Sequence, residues 1–171
     1  MRQWVGAVVL ITAAVLASSI LYAARPSTQN LFFIQRSIND NIVQYAVHCT
    51  PDGGLQSPNP VHAYWILGNG DRAELNRVQK RLAYGISSQR ELSDDHYEFE
   101  LAALKDRMIS VRPTDDGYRA LVLINGEKSV LERVYVECTE NFLGIPNVLY
   151  IDLFGHAYDP NRVVKERIQP Q

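Results

Sequence analysis

The feature that most constrains this chain is an Asn-Gly pair, Asn125-Gly126, set between two stretches that read as strands, Tyr118–Ile124 and Glu127–Cys138. Asn-Gly suits the positive φ angles of the tight turns that join antiparallel strands, so the two stretches are expected to form a hairpin. A two-residue turn sets Leu121 opposite Val130 and Arg119 opposite Glu132. Each such pair contributes ~0.2–1 kcal/mol, enough to fix the register but not to carry the fold.

The same period of two recurs along the chain. Leu31–Gln35, Ile42–Cys49, Val61–Leu67, His96–Leu101, Met108–Arg112, Val148–Tyr158 and Val163–Ile168 read as further strands, separated by turns such as Asn39-Asp40-Asn41 and Pro51-Asp52-Gly53-Gly54. In His96–Leu101 the apolar Tyr97, Phe99 and Leu101 alternate with His96, Glu98 and Glu100, a half-buried strand with one wet face. One helix is expected over about 72–84. Asp71 and Glu74 have capping-box spacing, Leu75, Val78 and Leu82 share a face, and Gly85 can close it. Arg72, Arg77, Lys80 and Arg81 form its outer, basic face, which reads most simply as solvated. About eight or nine strands with one helix describe a mainly β domain, either an antiparallel sandwich or an up-and-down barrel. The absence of a run of strand-helix-strand units argues against a doubly wound sheet.

The N-terminus is of a different kind. Met1-Arg2-Gln3 precedes an uncharged, mostly apolar run from Trp4 to Ala24. A helix of that length, rising ~1.5 Å per residue, just crosses a ~30 Å hydrocarbon core. The run reads as a secretory signal or as an uncleaved transmembrane anchor, and small residues at Ala17-Ser18-Ser19 or Ala23 offer only mediocre cleavage sites. Either reading makes the rest exported, with the membrane as a partner through residues 4–24 if they are retained. Residues 25–29 read as a linker and 30–168 as one β-rich domain. The formal charge of −2 and the lack of basic runs beyond Lys80-Arg81 give no field for nucleic acid.

Three stretches, "LFFIQRSINDNIVQY" (31–45), "NPVHAYWI" (59–66) and "QKRLAYG" (79–85), resemble the uncharacterised domain-of-unknown-function family 4833. The likeness spans most of residues 30–168. It implies a single self-contained domain behind an export signal, and no activity or catalytic residue.

The chemistry-bearing residues leave several readings open. Cys49 and Cys138 each end a strand on its apolar face, so they are unlinked core thiols, a disulfide or, as a third reading, a catalytic thiol. Antiparallel neighbouring strands would hold them at opposite edges of the sheet; a bond needs Cα atoms within ~7 Å. His48, His62, His96 and His156 lack metal-ligand spacing. No G-x-S-x-G, S-x-x-K, phosphate-loop or dinucleotide pattern occurs, so no cofactor is expected. On Val61–Leu67, His62 and Tyr64 share one face; on Val148–Tyr158, Tyr150, Asp152 and His156 do, opposite an aliphatic face of Leu149, Ile151, Leu153 and Ala157. Two such faces form either a shared ligand-binding wall bordered by His62, Tyr64, Tyr150, Asp152 and His156 or ordinary cross-strand packing. Three functions follow as expectations. One is an exported β domain binding a small molecule, lipid or protein partner. The others are an envelope hydrolase using His62, Asp152 and His156, and a pocketless envelope scaffold.

Overall fold

The computed structural model describes residues 27–93, 95–140, 146–157 and 162–169. The N-terminal run, the break at Gly144-Ile145 and Tyr158 lie outside them. No described helix is long and apolar enough to cross a membrane.

The described chain is a single curled β-sheet with one short helix. Its strands are β1 (Ser27–Arg36), β2 (Ile42–Cys49), β3 (Val61–Ile66), β4 (Arg72–Glu74), β5 (Ile86–Ser93), β6 (His96–Leu101), β7 (Leu104–Thr114), β8 (Gly117–Ile124), β9 (Glu127–Glu140), β10 (Pro146–Ala157) and β11 (Val163–Ile168). The helix α1 is a turn over Arg77–Gln79 that widens into a π-turn over Lys80–Tyr84. Nine strands run β4-β3-β2-β1-β9-β8-β7-β6-β5, and β10 and β11 extend the sheet from β9.

The alternation builds the core as expected. Val43, Tyr45 and Val47 of β2, Phe99 of β6, Ile109 and Val111 of β7 and Leu131 of β9 are fully buried. Phe32 of β1 stacks on Tyr45 at 4.5 Å and on Phe99 of β6 at 6.4 Å. The curl therefore brings β1 and β6, far apart in the sheet order, against each other. Near the two sheet edges the contacts come from side chains. The Tyr97 hydroxyl donates to Pro58 O at 2.8 Å and Ser57 Oγ donates to Glu91 at 2.9 Å.

Asn125 and Gly126 take φ of 51° and 79°, and the hairpin sets Leu121 opposite Val130. The second expected pair does not form. Beyond Leu121, β8 leaves β9, and Arg119 pairs with Arg112 of β7. The reason lies at β9, whose Val130 pairs with Leu121 and His156 and whose Val134 pairs with Ile34 and Leu153. One edge of β9 is thus shared by β8 and β1, the other belonging to β10. The β1–β9 pairing is parallel, which breaks a strict up-and-down order. The gap between the diverging β1 and β8 is bridged by the Gln29 carboxamide. It donates to Tyr118 O at 3.0 Å and accepts from Tyr118 N at 2.8 Å, as a neighbouring peptide group would. Ser27, Thr28 and Gln29 consequently belong to β1 and not to a linker.

The helix differs from expectation at its start. Arg72–Glu74 pairs with β3 as a strand. The cap is Asn76, whose side chain accepts from Gln79 N while Gln79 Oε1 accepts from Asn76 N, both at 2.9 Å. Leu75 is buried, but Val78 and Leu82 are 64% and 67% exposed, so the expected apolar helical face is not consumed by the core.

Candidate functional site

The exposed Val78 and Leu82 form one lip of an apolar cavity of about 590 Å³. The size lies within the ~300–1,000 Å³ usual for small-molecule sites. Strand parity builds the walls. Ile34 and Arg36 are two apart on β1, and Val134, Val136 and Cys138 two apart on β9; the parallel ladder sets Ile34 beside Val134 and Arg36 beside Val136. On β10, a register shift between Val148 and Tyr150 lets Val148 and Ile151 face the same side. The same bulge turns Leu149 outward, 44% exposed, which corrects its expected place on the aliphatic face. Leu101, Ala103 and Leu104 at the β6–β7 turn complete the wall.

One cation stands in this apolar wall. Arg36 lies with its guanidinium carbon 5.2 Å from the centroid of Trp65 and close enough to the Tyr84 phenol for its charge to act on it. Tyr84 packs edge-on to Trp65 at 5.3 Å, and its carbonyl accepts the Tyr45 hydroxyl at 2.6 Å. Burial raises the pKa of Tyr84, opposed by the neighbouring Arg36 charge. The phenol is therefore a neutral donor at physiological pH. Arg36 Nε is sequestered from solvent and has no hydrogen-bond partner among the described residues.

The residues singled out in the sequence fall elsewhere. Tyr150 and Asp152 are brought together by Arg167, which stacks on the Tyr150 ring at 3.6 Å and donates to Asp152 at 2.7 and 2.8 Å. Asp152 is buried and takes a second cation, Lys165, at 2.8 Å. The Arg167 bond, aided by Lys165 and opposed by burial, holds its carboxyl down at about 2. His156 pairs with Glu132 at 2.7 Å. On β3, His62 packs against His48 with ring centroids 4.0 Å apart and planes tilted by 59°, and Tyr64 is buried beneath Arg72, whose guanidinium sits 3.6 Å from the ring centroid. His62 borders a smaller cleft of about 280 Å³ with Arg72, Glu74 and Lys80. The described contacts thus form two groups, His62 with Tyr64 and Tyr150 with Asp152, and do not join them.

Both cysteines are buried and unbonded. Cys49 pairs with Ser27 at the start of β1, whereas the Cys138 backbone bonds Ser37 Oγ just past its end. About ten residues at ~3.3 Å each separate them. Because β1 runs antiparallel to β2 and parallel to β9, the C-terminal ends of β2 and β9 lie apart, so the disulfide alternative has no geometry in which to form and the cysteines are unlinked core thiols. Among the described residues no group of three or more His, Cys, Asp or Glu side chains could hold a metal ion.

A second cavity, of about 420 Å³, lies among Thr50, Asp52, Ser57, Glu91 and His96. Its Asp95 accepts from Leu55 N at 2.9 Å and from the Tyr118 hydroxyl at 2.8 Å, tying a loop to β8. Both bonds go to Asp95 Oδ1.

The model of the family described as Domain of unknown function (DUF4833) matches residues 32–167. The chain belongs to this family. No curated protein and no solved structure gives a significant match. The matched span of this DUF4833 domain runs from Phe32, in the core stack, to Arg167, the partner of Asp152, and so takes in the strands of the cavity wall as well as α1. The cavity itself carried one signal in the sequence: Val78 and Leu82, apolar residues on a segment with no other buried face.

Proposed function

We propose that this DUF4833 domain is a non-catalytic binding protein that holds an elongated apolar small molecule in the cavity between α1, β1, β9 and β10. The observation that carries the reading is the cavity, about 590 Å³, walled by Ile34, Leu101, Val134, Val136, Val148 and Ile151. Uncovered apolar surface of this kind, rimmed by two exposed aliphatic side chains, is characteristic of a ligand site. Of the two architectures expected, we read the curled sheet as a barrel left open along one seam, the cavity lying where α1 stands. We place the domain outside the cytoplasm, behind a cleaved signal or on an anchor of residues 4–24. The positive start and uncharged apolar run support that placement. The cavity lies at the Arg36 end of β1, the opposite end of the strand from Ser27.

The hydrolase reading needs His62, Asp152 and His156 to converge with a base free to take a proton. Asp152 is committed to Arg167 and Lys165, His156 to Glu132 and His62 to His48, which favours binding. The pocketless scaffold leaves the cavity unexplained. Titration of the full chain with the neutral dye Nile red tests the proposal. The expected result is a blue-shifted, saturable signal that is lost in Ile151→Trp, which fills the cavity. A variant that melts like the wild type and binds the dye equally well would overturn it.

A further inference from the structure

We infer that the cavity selects a single-chain amphiphile with an anionic head, whose charge is received by Arg36 and Tyr84. The inference rests on the binding reading above and names its ligand class.

A guanidinium carries five donors, and one placed in an apolar wall is costly unless those donors and its charge are met. Arg36 meets them incompletely. It has a π face from Trp65 and one phenol, Tyr84, while its Nε is closed off from water without a partner. Among the described residues no carboxylate lies within ion-pair distance of it, although Arg90, Arg107, Arg162 and Arg167 each have one. Tyr84 is kept protonated by burial, so it is a donor beside the cation. A guanidinium with unmet donors and a phenol O–H therefore stand together with no carboxylate beside them among the described residues, at the edge of a mainly apolar cavity whose other polar linings are Gln79 and Cys138.

The missing element is an anion, and the aliphatic lining sets what it is attached to. A carboxylate or phosphate would accept from guanidinium and phenol at once; guanidinium matches both geometries. An aliphatic chain would then lie along Val134, Val136, Val148 and Ile151 towards the Val78–Leu82 lip. A short hydrophilic anion would leave these walls uncovered, and a neutral hydrocarbon would leave Arg36 unmatched. Only a molecule with both parts satisfies both ends. Charge is thus the selecting element and the apolar wall the affinity element.

Displacement of Nile red from the full chain by dodecanoate, dodecyl phosphate and dodecanol, below their micelle concentrations, separates the possibilities. The expected result is displacement by dodecanoate or dodecyl phosphate at concentrations at least ten times lower than dodecanol. Whichever anion is stronger identifies the head as carboxylate or phosphate. Arg36→Met should bring both anions to the level of dodecanol, and a melting temperature like that of the wild type shows that the domain remains folded. Arg36→Lys should keep a preference for the anions. Equal displacement by dodecanol and the anions, or a preference that survives Arg36→Met, would overturn the head-group assignment while leaving the binding reading standing. Should Arg36→Met weaken dodecanol as well, Arg36→Lys decides: a retained preference supports the assignment and a lost one overturns it. If Nile red itself does not bind, the binding reading fails, and this inference with it.

Discussion

Replacing Asp152 by Asn is expected to destabilise the domain by ~1–1.5 kcal/mol at pH 7, in a way that depends on pH. The carboxyl is buried under Arg167 and Lys165 and is held at about 2 instead of the usual 3.8. At ~1.36 kcal/mol per pH unit this stabilises the folded anion by about 2.4 kcal/mol. Both cations are 46% exposed, so water screens them and the smaller figure applies. The sign follows from linkage. The folded carboxyl binds its proton more weakly than the unfolded one, so the contribution is complete above ~3.8 and is lost as pH falls towards 2. Roughly half is gone by pH 3. Urea unfolding of wild type and Asp152→Asn at pH 7 and pH 3 measures this: the midpoints should differ clearly at pH 7 and about half as much at pH 3. An equal difference at both values would mean that Asp152 acts through packing, and no difference at pH 7 would mean that the ion cluster contributes nothing. The same variant should bind an apolar ligand like the wild type, since Asp152 does not line the cavity.

Other perturbations follow from the same contacts. Gly155→Ala would set a Cβ 2.1 Å from Val130 O, where β10 presses against β9, and should cost about 1–3 kcal/mol in urea unfolding; a neutral effect would deny that close approach. Gly126→Val forces a β-branched residue into φ of 79° and should cost at least about 1 kcal/mol. The loss should be larger than for most turn residues, because Asn125 also binds Glu166 at 2.7 Å and Lys165 O at 2.6 Å, tying the hairpin to β11. The His62 pKa is lowered by burial and then by His48 and Arg72, so its neutral form is favoured by folding. Stability should therefore decline as pH drops below ~6.5, and melting temperatures of His62→Ala between pH 7.5 and 5.5 should show a shallower decline.

Much of the sheet was legible because one face of most strands is buried. β2, β6 and β11 end where the alternation ends, and the Asn125-Gly126 turn sets Leu121 opposite Val130. β5 carried no such signal: Ile86–Ser93 has seven exposed residues after Ile86, so nothing in it alternates. Asp71 and Glu74 mimic the spacing of the real cap, Asn76 and Gln79, and β4 pairs with β3 through only three residues, too few to announce a strand. The parallel contact between β1 and β9 joins residues about one hundred positions apart, beyond the reach of any local pattern. That contact builds the cavity and sets the cysteines apart, so neither the site nor the choice between core thiols and a disulfide could be settled from local pattern. The partners of Tyr64 and Tyr150, Arg72 and Arg167, come from neighbouring strands, so no pattern within β3 or β10 announced these cation-stacked pairs.

Native mass spectrometry of the full chain mixed with equimolar dodecanoate tests the central claim most directly. The account predicts a single one-to-one adduct on the wild type and the bare polypeptide mass for Ile151→Trp. A bare mass for both, or equal adducts on both, would contradict it.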